Sequence, residues 1–344
     1  PIRMELMGDP GGIVPIADAA NRPSSEEEIG AIKSKVEAGL RRGALAVGFG
    51  IQYTPAASRW EILEAFRVAA QHGAPCHVHM RGMGHVEPCS SMEGLQELIA
   101  ASSVTGASTH VCHISSSGMR SASHLLQTIG EAQVGGTDVT TECYPYTAAL
   151  TDISSAMFDD GWQRTLGIDY DGLEWTKTGE RLNQQSFLKY RAVGGMVIMH
   201  MIPEDAELSS VTSPLTAIAT DGWLKDGKGH PRTAGSYTRV LGKFVREDRV
   251  LPLMEALRKM TLMPAKRLED RTPAMSKKGR IRVGSDADLA IFDPDRVIDQ
   301  ATYAHPNLPP KGMTHVIVNG IPVVRESELE NNVLPGKAVR SPVG

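Results

Sequence analysis

The sequence predicts an α/β fold built from parallel βαβ units. Short apolar runs of strand length alternate with amphipathic helical stretches at steps of roughly 30 residues. Helix start and stop signals flank the helical stretches, which supports the same alternation. An open sheet and a closed (β/α)8 barrel both fit this pattern. A complete barrel needs about 250 residues, and the chain has 344.

The helices are predicted from apolar residues at helical spacing and from capping residues. In residues 24–43, Ser24 or Ser25 is the N-cap candidate, acidic residues fill the first turn, and Gly43 ends the stretch. The other predicted helices cover residues 58–73, 91–106, 121–133 and 251–268.

The strands are predicted from short, mostly apolar runs. In chain order they cover residues 2–8, 44–51, 75–80, 108–114, 138–146, 195–202 and 216–222. The regular step is lost after Tyr146, and an irregular insertion is predicted near 147–194. Past about residue 276 the pattern changes to antiparallel β-structure with Gly and Asp turns. We therefore predict a βα domain in 1–275 and a small β segment in 276–344.

Composition and charge are those of an ordinary globular protein. Hydrophobic residues make up 41% of the chain, charged residues 22%, and the formal net charge is −4. This mild charge argues against a nucleic-acid or membrane partner. Four cysteines without a CxxC motif predict a reducing compartment, so we expect a cytoplasmic protein. The chain begins abruptly at Pro1, and we expect its natural N-terminal residues to precede this point.

Two histidines and one aspartate stand where predicted strands end. His79 closes the strand at 75–80, His113 follows 34 residues later (113 − 79) at the end of the next strand, and Asp221 precedes a glycine. The carboxyl ends of parallel strands gather functional side chains. Two imidazoles and a carboxylate suit a metal and a general base. Ordinary strand-end residues explain the same spacing, and both interpretations stay open at this point.

Two other histidines are weaker candidates. His77 lies two residues before His79, so both can share one strand face. That allows a two-histidine metal site, and it equally allows a His77 that lies one layer deeper in the core. His110 lies three residues before His113 and cannot share its strand face, so we predict a structural role for His110.

A series of segments from residue 79 onward forms a recognisable set of motifs. They read HMRG, YPYTA, ATDG, HPRTAGSYTRVLGKFVRE and ALRKMTLMPAKRL, followed by GRIRVGSDADLAIFDP and HVIVNGIPVV. The last two resemble the C-terminal signature of the amidohydrolase superfamily. The others are similar to its N-acyl-D-amino-acid deacylase (D-aminoacylase) branch. The resemblance implies a (β/α)8 TIM-like metallohydrolase barrel, here lacking its first strands, with a small C-terminal β-sandwich segment.

The resemblance also implies roles for individual residues. His79 and His113 match metal-binding histidines at the ends of two barrel strands. Asp221 matches the family's general acid/base, and Tyr144 matches a residue that polarises the scissile carbonyl. The cofactor so implied is Zn2+, in a mononuclear or partial site, because the family's HxH pair and bridging cysteine have no counterpart in this chain.

Two further positions correspond to substrate-binding residues of the family. Arg232 lies where the family uses basic residues near the substrate. The family often carries Lys two residues after the second metal-binding histidine, and this chain has Ser115 there. The exchange weakens the case for recognition of a free α-carboxylate by that position.

The implied activity is metal-dependent hydrolysis of the linear amide bond of a small N-acyl amino acid. Two alternatives stay open. The segment HVCHISS is similar to cyclic amidases of the hydantoinase or dihydroorotase type. A non-catalytic truncated remnant is the other. Absent barrel strands would expose sheet edges, so a homo-oligomer is a further expectation.

Overall fold

The computed structural model describes residues 1–10 and 12–342. They form two compact units, Pro1–Thr216 and Ala217–Pro342. The division predicted near residue 275 lies within the second unit, at a 3-10 helix over Pro273–Lys277, and it stays a prediction about domain organisation. Within the described residues, no helix combines the length and the apolar character that a membrane crossing requires.

The first unit contains a parallel sheet in which each strand pairs with the next one along the chain. Its strands are β1 (Val47–Gly50), β2 (Cys76–His79), β3 (Thr109–Val111) and β4 (Val139–Cys143). The main helices before and between them are α3 (Glu26–Arg41), α4 (Arg59–Gln71), α5 (Ser91–Thr105) and α7 (Ala122–Val134). The predicted α/β alternation is confirmed.

Capping residues fix where these helices begin. The Ser25 side chain accepts a hydrogen bond from the Glu28 backbone, and the Glu28 side chain accepts one from the Ser25 backbone. Ser90 and Glu93 form the same reciprocal capping box at α5. Ser25, rather than Ser24, is therefore the N-cap.

The strand predicted over residues 2–8 is wrong. The segment forms helix α1 (Ile2–Leu6), followed by the short helix α2 (Ala17–Asn21). A five-residue alternation of apolar and charged side chains fits either structure, and Met, Glu and Leu favour the helix. Tertiary contacts decide the outcome, because the buried Arg3 side chain donates to Glu61 at 2.6 Å and to the Ala19 carbonyl at 2.8 Å.

The segment predicted as an irregular insertion is an ordered layer with a sheet of its own. Antiparallel strands pair in the order β5 (Ala149–Asp152), β8 (Met196–Met199), β6 (Leu173–Trp175) and β7 (Glu180–Arg181). Helices α8 (Trp162–Leu166), α9 (Gln184–Val193) and α10 (Glu204–Thr212) accompany them. An aromatic cluster that includes Phe158, Trp162 and Phe187 forms its core. β8 lies within the strand predicted over 195–202, whereas β5, β6 and β7 are too short, and too closely separated by turns, to give a recognisable periodicity.

The second unit begins within β9 (Thr216–Ile218). After it come β10 (Leu224–Lys225), β11 (Lys228–Gly229), α11 (Arg232–Arg239), α12 (Leu253–Met260) and α13 (Leu262–Glu269). The single helix predicted over 251–268 is two helices, because Pro264 lacks the N–H that a continuous helix needs and its ring clashes with the preceding turn. The predicted antiparallel C-terminal β-structure is confirmed: β12 (Leu289–Phe292), β13 (Met313–Val318), β14 (Ile321–Arg325) and β15 (Glu328–Leu329).

Candidate metal centre and proton acceptor

Two histidine rings from neighbouring strands of the first unit meet. His79 is the last residue of β2, and His113 follows the end of β3. The Nε2 atom of His113 lies 2.5 Å from Nδ1 of His79, and the ring centroids are 4.4 Å apart. This separation is shorter than that of ordinary N–H hydrogen bonds. The two ring nitrogens therefore converge on one small volume.

The backbone at His113 is in the left-handed region, with φ 37° and ψ 58°. Residues other than glycine adopt this region uncommonly, and such residues are concentrated at functional sites. The conformation ends β3 and starts the short helix α6 (Ile114–Gly118). The backbone N–H groups of Ser116 and Ser117 donate to the His113 carbonyl at 3.0 and 3.2 Å. This tight turn holds the imidazole against His79.

Two serine hydroxyls hold the other nitrogen of the His113 ring. Ser116 Oγ lies 3.0 Å and Ser117 Oγ 3.2 Å from Nδ1. Ser116 Oγ already donates its proton to the His113 carbonyl at 2.9 Å, so it accepts from Nδ1–H. That tautomer leaves a lone pair on Nε2, facing His79. Sequence reasoning missed both serines, although the run of three serines after His113 was the available signal.

Two tyrosines flank the histidine pair. The ring of Tyr144 is fully buried, and its centroid is 6.4 Å from that of His113. The ring of Tyr53 lies 6.0 Å from His79, and its hydroxyl accepts a hydrogen bond from Thr151 Oγ1 at 3.3 Å. Tyr53 and His79 also line a largely apolar cavity of about 670 Å³. Tyr144 is thus near the pair, as its predicted role requires, and Tyr53 was not foreseen.

Ser115 lies in α6 and is fully buried. Its hydroxyl has no hydrogen-bond partner among residues 1–10 and 12–342. The hydroxyls that contact the His113 ring belong to Ser116 and Ser117, not to Ser115. A substrate-binding role for Ser115 stays a prediction.

Asp221 and Arg232 are brought together in the second unit. Oδ2 of Asp221 lies 2.8 Å from Nη2 of Arg232, whose side chain is only 2% exposed. The Arg232 backbone N–H donates to Nδ1 of His230 at 3.0 Å, at the start of α11. Asp221, like His113, has a left-handed backbone, with φ 46°. The arrangement fixes the direction of a carboxylate whose side chain remains 33% exposed.

A carboxylate with a shifted pKa lies on β4, the strand next to β3. Burial alone would raise the pKa of Glu142. The hydrogen bond from His110, and the charges that His110, His113 and His77 carry in their protonated forms, outweigh that effect and lower the pKa below its usual value. Glu142 is therefore ionised at neutral pH beside a group of imidazoles.

The chemistry of the histidine pair fits zinc. Imidazole nitrogen is a preferred zinc ligand, and a ligating histidine characteristically donates its other ring N–H to a neighbouring acceptor. His113 does so to Ser116 while its Nε2 lone pair faces His79. Over the ranges 1–10 and 12–342, no group of three or more His, Cys, Asp or Glu side chains is arranged to hold a metal ion. The pair accordingly offers two ligands.

Comparisons with known proteins agree with the motifs. The model of the Amidohydrolase family matches residues 211–324. The chain is 30% identical over 342 residues to an N-acyl-D-glutamate deacylase and 29% identical over 324 residues to a D-aminoacylase, both from Alcaligenes xylosoxydans xylosoxydans. These alignments cover 94% and 89% of the chain. The chain spans 66% and 63% of the length of the two relatives, about two thirds or less.

A solved structure gives the same result for the fold. It is the N-acyl-D-glutamate deacylase from Bordetella bronchiseptica, complexed with zinc and a phosphonate inhibitor. The sequences are 25% identical, the TM-score is 0.80, and the match covers 99% of this chain and 70% of the other. The chain belongs to the D-aminoacylase branch of the amidohydrolase superfamily.

Proposed function

We propose that this chain is a zinc-dependent hydrolase of the amide C–N bond of N-acyl-D-amino acids. The observation that carries the proposal is the convergence of His79 and His113, whose ring nitrogens lie 2.5 Å apart at the ends of neighbouring strands. The relatives named as an N-acyl-D-glutamate deacylase and a D-aminoacylase support the substrate class. A zinc ion held by the two histidines would supply Lewis acidity that polarises the amide carbonyl.

The remaining steps are assigned to residues of the chain. Tyr144 is proposed to donate a hydrogen bond to the carbonyl oxygen as it becomes negative. Asp221 is proposed to accept a proton from the attacking water and to return it to the leaving nitrogen as the C–N bond breaks. The products are a carboxylic acid and a free amine. Arg232 is proposed to orient the Asp221 carboxylate through their 2.8 Å ion pair, or to bind the substrate carboxylate in exchange.

The domain architecture, the cellular location and the oligomeric state of the molecule are also proposals. The four parallel strands β1 to β4 support a (β/α)8 barrel over residues 1–275, and the C-terminal antiparallel strands support part of a small β-sandwich over 276–344. The sequence has only four cysteines in 344 residues and no CxxC motif, which supports a reducing, cytoplasmic location. A homo-oligomer is proposed as well, and size-exclusion chromatography with light scattering tests it.

Amine release from matched enantiomers tests the proposed activity. The purified chain, loaded with Zn2+, is incubated with N-acetyl-D- and N-acetyl-L-amino acids, including glutamate and leucine, and with hydantoin. We expect free amine from D-enantiomers alone. His79→Asn and His113→Asn should abolish the release, because each removes one of two metal ligands. His124→Asn, on the exposed face of α7, serves as the control.

Other outcomes discriminate between the alternatives. Opening of hydantoin without hydrolysis of linear amides would identify a cyclic amidase instead. A chain that binds no zinc and releases no amine would be a non-catalytic relative, and the proposed function would be wrong.

A further inference from the structure

A second polar cluster lies on the same face of the parallel sheet as His79. His77, His110 and Thr140 occupy matching register positions on β2, β3 and β4. Side chains two residues apart on a strand share a face. His79 and Glu142 each lie two residues beyond this row, on β2 and β4. In the cluster of His77, His110, Thr140 and Glu142, the first three therefore lie one row before His79, and Glu142 lies level with His79, two strands away.

Contacts within the cluster hold its members in place. The ring centroids of His77 and His110 are 4.7 Å apart. His110, which is buried, has Nδ1 2.8 Å from Thr140 Oγ1 and Nε2 3.2 Å from Glu142 Oε2. Both nitrogens of the His110 ring are thus engaged, one by a hydroxyl and one by a carboxylate. The carboxylate is fixed in direction by a ring that cannot turn without losing two hydrogen bonds.

The histidine pair by itself carries no negative charge. Two neutral imidazoles offer lone pairs to a divalent cation, and a cation held away from water needs nearby negative charge to offset the loss of hydration. Glu142 lies level with His79 in the sheet and two residues before Tyr144, whose ring centroid is 6.4 Å from that of His113. Its carboxylate is held by Nε2 of His110 at 3.2 Å. Its side chain is 23% exposed, so water screens this charge only in part.

We propose that Glu142, held by His110, stabilises a divalent cation at the His79–His113 pair through its charge and without ligating the cation. Glu142 is a positioning and electrostatic residue in this role, not a catalytic one. The inference rests on the proposed function only in taking zinc as the cation at this pair. It assigns to His110 and Glu142 a part in metal binding, where the sequence had indicated a structural role for His110.

Direct measurement of zinc affinity tests the inference. Zinc is titrated into wild type and variants in competition with a chromophoric chelator at constant pH. Glu142→Gln keeps the shape of the side chain and removes its charge, so we expect the zinc Kd to rise about tenfold, the lower range for outer-shell partners. Glu142→Asp keeps the charge and should retain most of the affinity.

The chain offers a matched control. Glu174 on β6 accepts from a histidine in the same way, with His200 Nε2 3.0 Å from Glu174 Oε2, but it belongs to the antiparallel sheet. Glu174→Gln should leave the zinc Kd unchanged, and thermal melts of both variants report on folding. An unchanged Kd in Glu142→Gln, or an equal loss in Glu142→Gln and Glu142→Asp, would overturn the inference.

A second variant distinguishes an effect of the Glu142 charge from an effect of the cluster on the positions of neighbouring side chains. It can be measured even if Glu142→Gln does not fold. His110→Gln retains an amide donor that can hold Glu142 and leaves the carboxylate charge in place. Zinc affinity should therefore stay the same. A tenfold loss would mean that the cluster acts as a scaffold only. Wild type that binds no zinc would instead refute the proposed function, and the two failures are thereby distinguished.

Discussion

The carboxylate of Asp221 is tied to the guanidinium of Arg232 by a 2.8 Å ion pair, and the arginine is almost fully buried. A buried guanidinium is costly to leave without a carboxylate, whereas Asp221 is partly exposed and can be hydrated. The pair therefore serves folding as well as the proposed chemistry. Substitutions at its two ends should have unequal effects.

Asp221→Asn should lower the free energy of unfolding by about 1–3 kcal/mol, because it removes a charged partner that lies 2.8 Å from a buried arginine. Urea denaturation at neutral pH measures the change. Asp226→Asn is the matched control, since Asp226 also has a left-handed backbone, with φ 53°, but lies in an exposed turn. Equal stability of the two variants would contradict the role assigned to the ion pair.

His113→Gln should weaken zinc binding by more than the roughly 10–100-fold that loss of an outer-shell partner costs, because it removes one of the two proposed ligands. Metal analysis after dialysis and calorimetric titration both measure this. His124→Gln, on an exposed part of α7, should bind zinc as wild type does. Retention of zinc by His113→Gln would place the metal elsewhere.

Ser116→Ala and Ser115→Ala should behave differently although the residues are neighbours. Ser116 Oγ accepts from the His113 ring, so its loss should raise the zinc Kd about tenfold. The buried hydroxyl of Ser115 makes no hydrogen bond within the described ranges, so its removal should change stability by less than about 1 kcal/mol and leave zinc affinity intact. The opposite ranking of zinc affinities would refute the assigned tautomer of His113.

Glu28 should make the first unit sensitive to acid. The hydrogen bond from Arg22, followed by that from the Ser25 backbone, lowers the pKa of Glu28 from 4.5 to about 2. A lowered pKa contributes stability above the unfolded value, and this contribution is lost as the pH falls from about 4.5 toward 2. Glu28→Gln should flatten the pH dependence of unfolding in this window, whereas Glu27→Gln, in the same helical turn, should not.

Two glycines in helices should respond in opposite ways to alanine. A Cβ at Gly94 would lie 2.0 Å from the Arg81 carbonyl oxygen, so Gly94→Ala should destabilise the chain by about 1–3 kcal/mol or more. At Gly30, in α3, a Cβ meets nothing within 4 Å, and Gly30→Ala should stabilise by about 0.5–1 kcal/mol. Thermal melts of the two variants measure these changes. An unchanged melting temperature for Gly94→Ala would show that α5 can shift to accommodate the added Cβ.

Sequence periodicity was sufficient for the parallel strands and their helices because local signals and tertiary packing agree there. Periodicity predicted the wrong structure where local signals and tertiary packing favour different structures. At Arg3, contacts with distant residues select a helix over a strand. At Pro264, the proline ring interrupts the helix, although the apolar residues of this segment keep helical spacing throughout.

Residues of the candidate site could be predicted from the sequence only where they lie at the ends of predicted strands. The approach of His79 and His113 follows from adjacent parallel strands, so their positions could be anticipated. The link between His110 and Glu142 depends on the register of β3 and β4, which is set by loop geometry and by packing of the whole sheet. No pattern within either segment contains that information.

Tyr144 is buried in the same aromatic cluster that forms the core of the antiparallel layer, with Phe158, Trp162 and Phe187. Tyr144 is the residue proposed to donate to the substrate carbonyl, and a side chain packed in a core has little freedom to adjust independently of its neighbours. Loosening of that layer by a distant substitution would misdirect the phenol while the chain is still folded. Turnover in such variants should decline at temperatures well below the melting transition, which makes activity a more sensitive reporter of this layer's packing than any bulk unfolding signal.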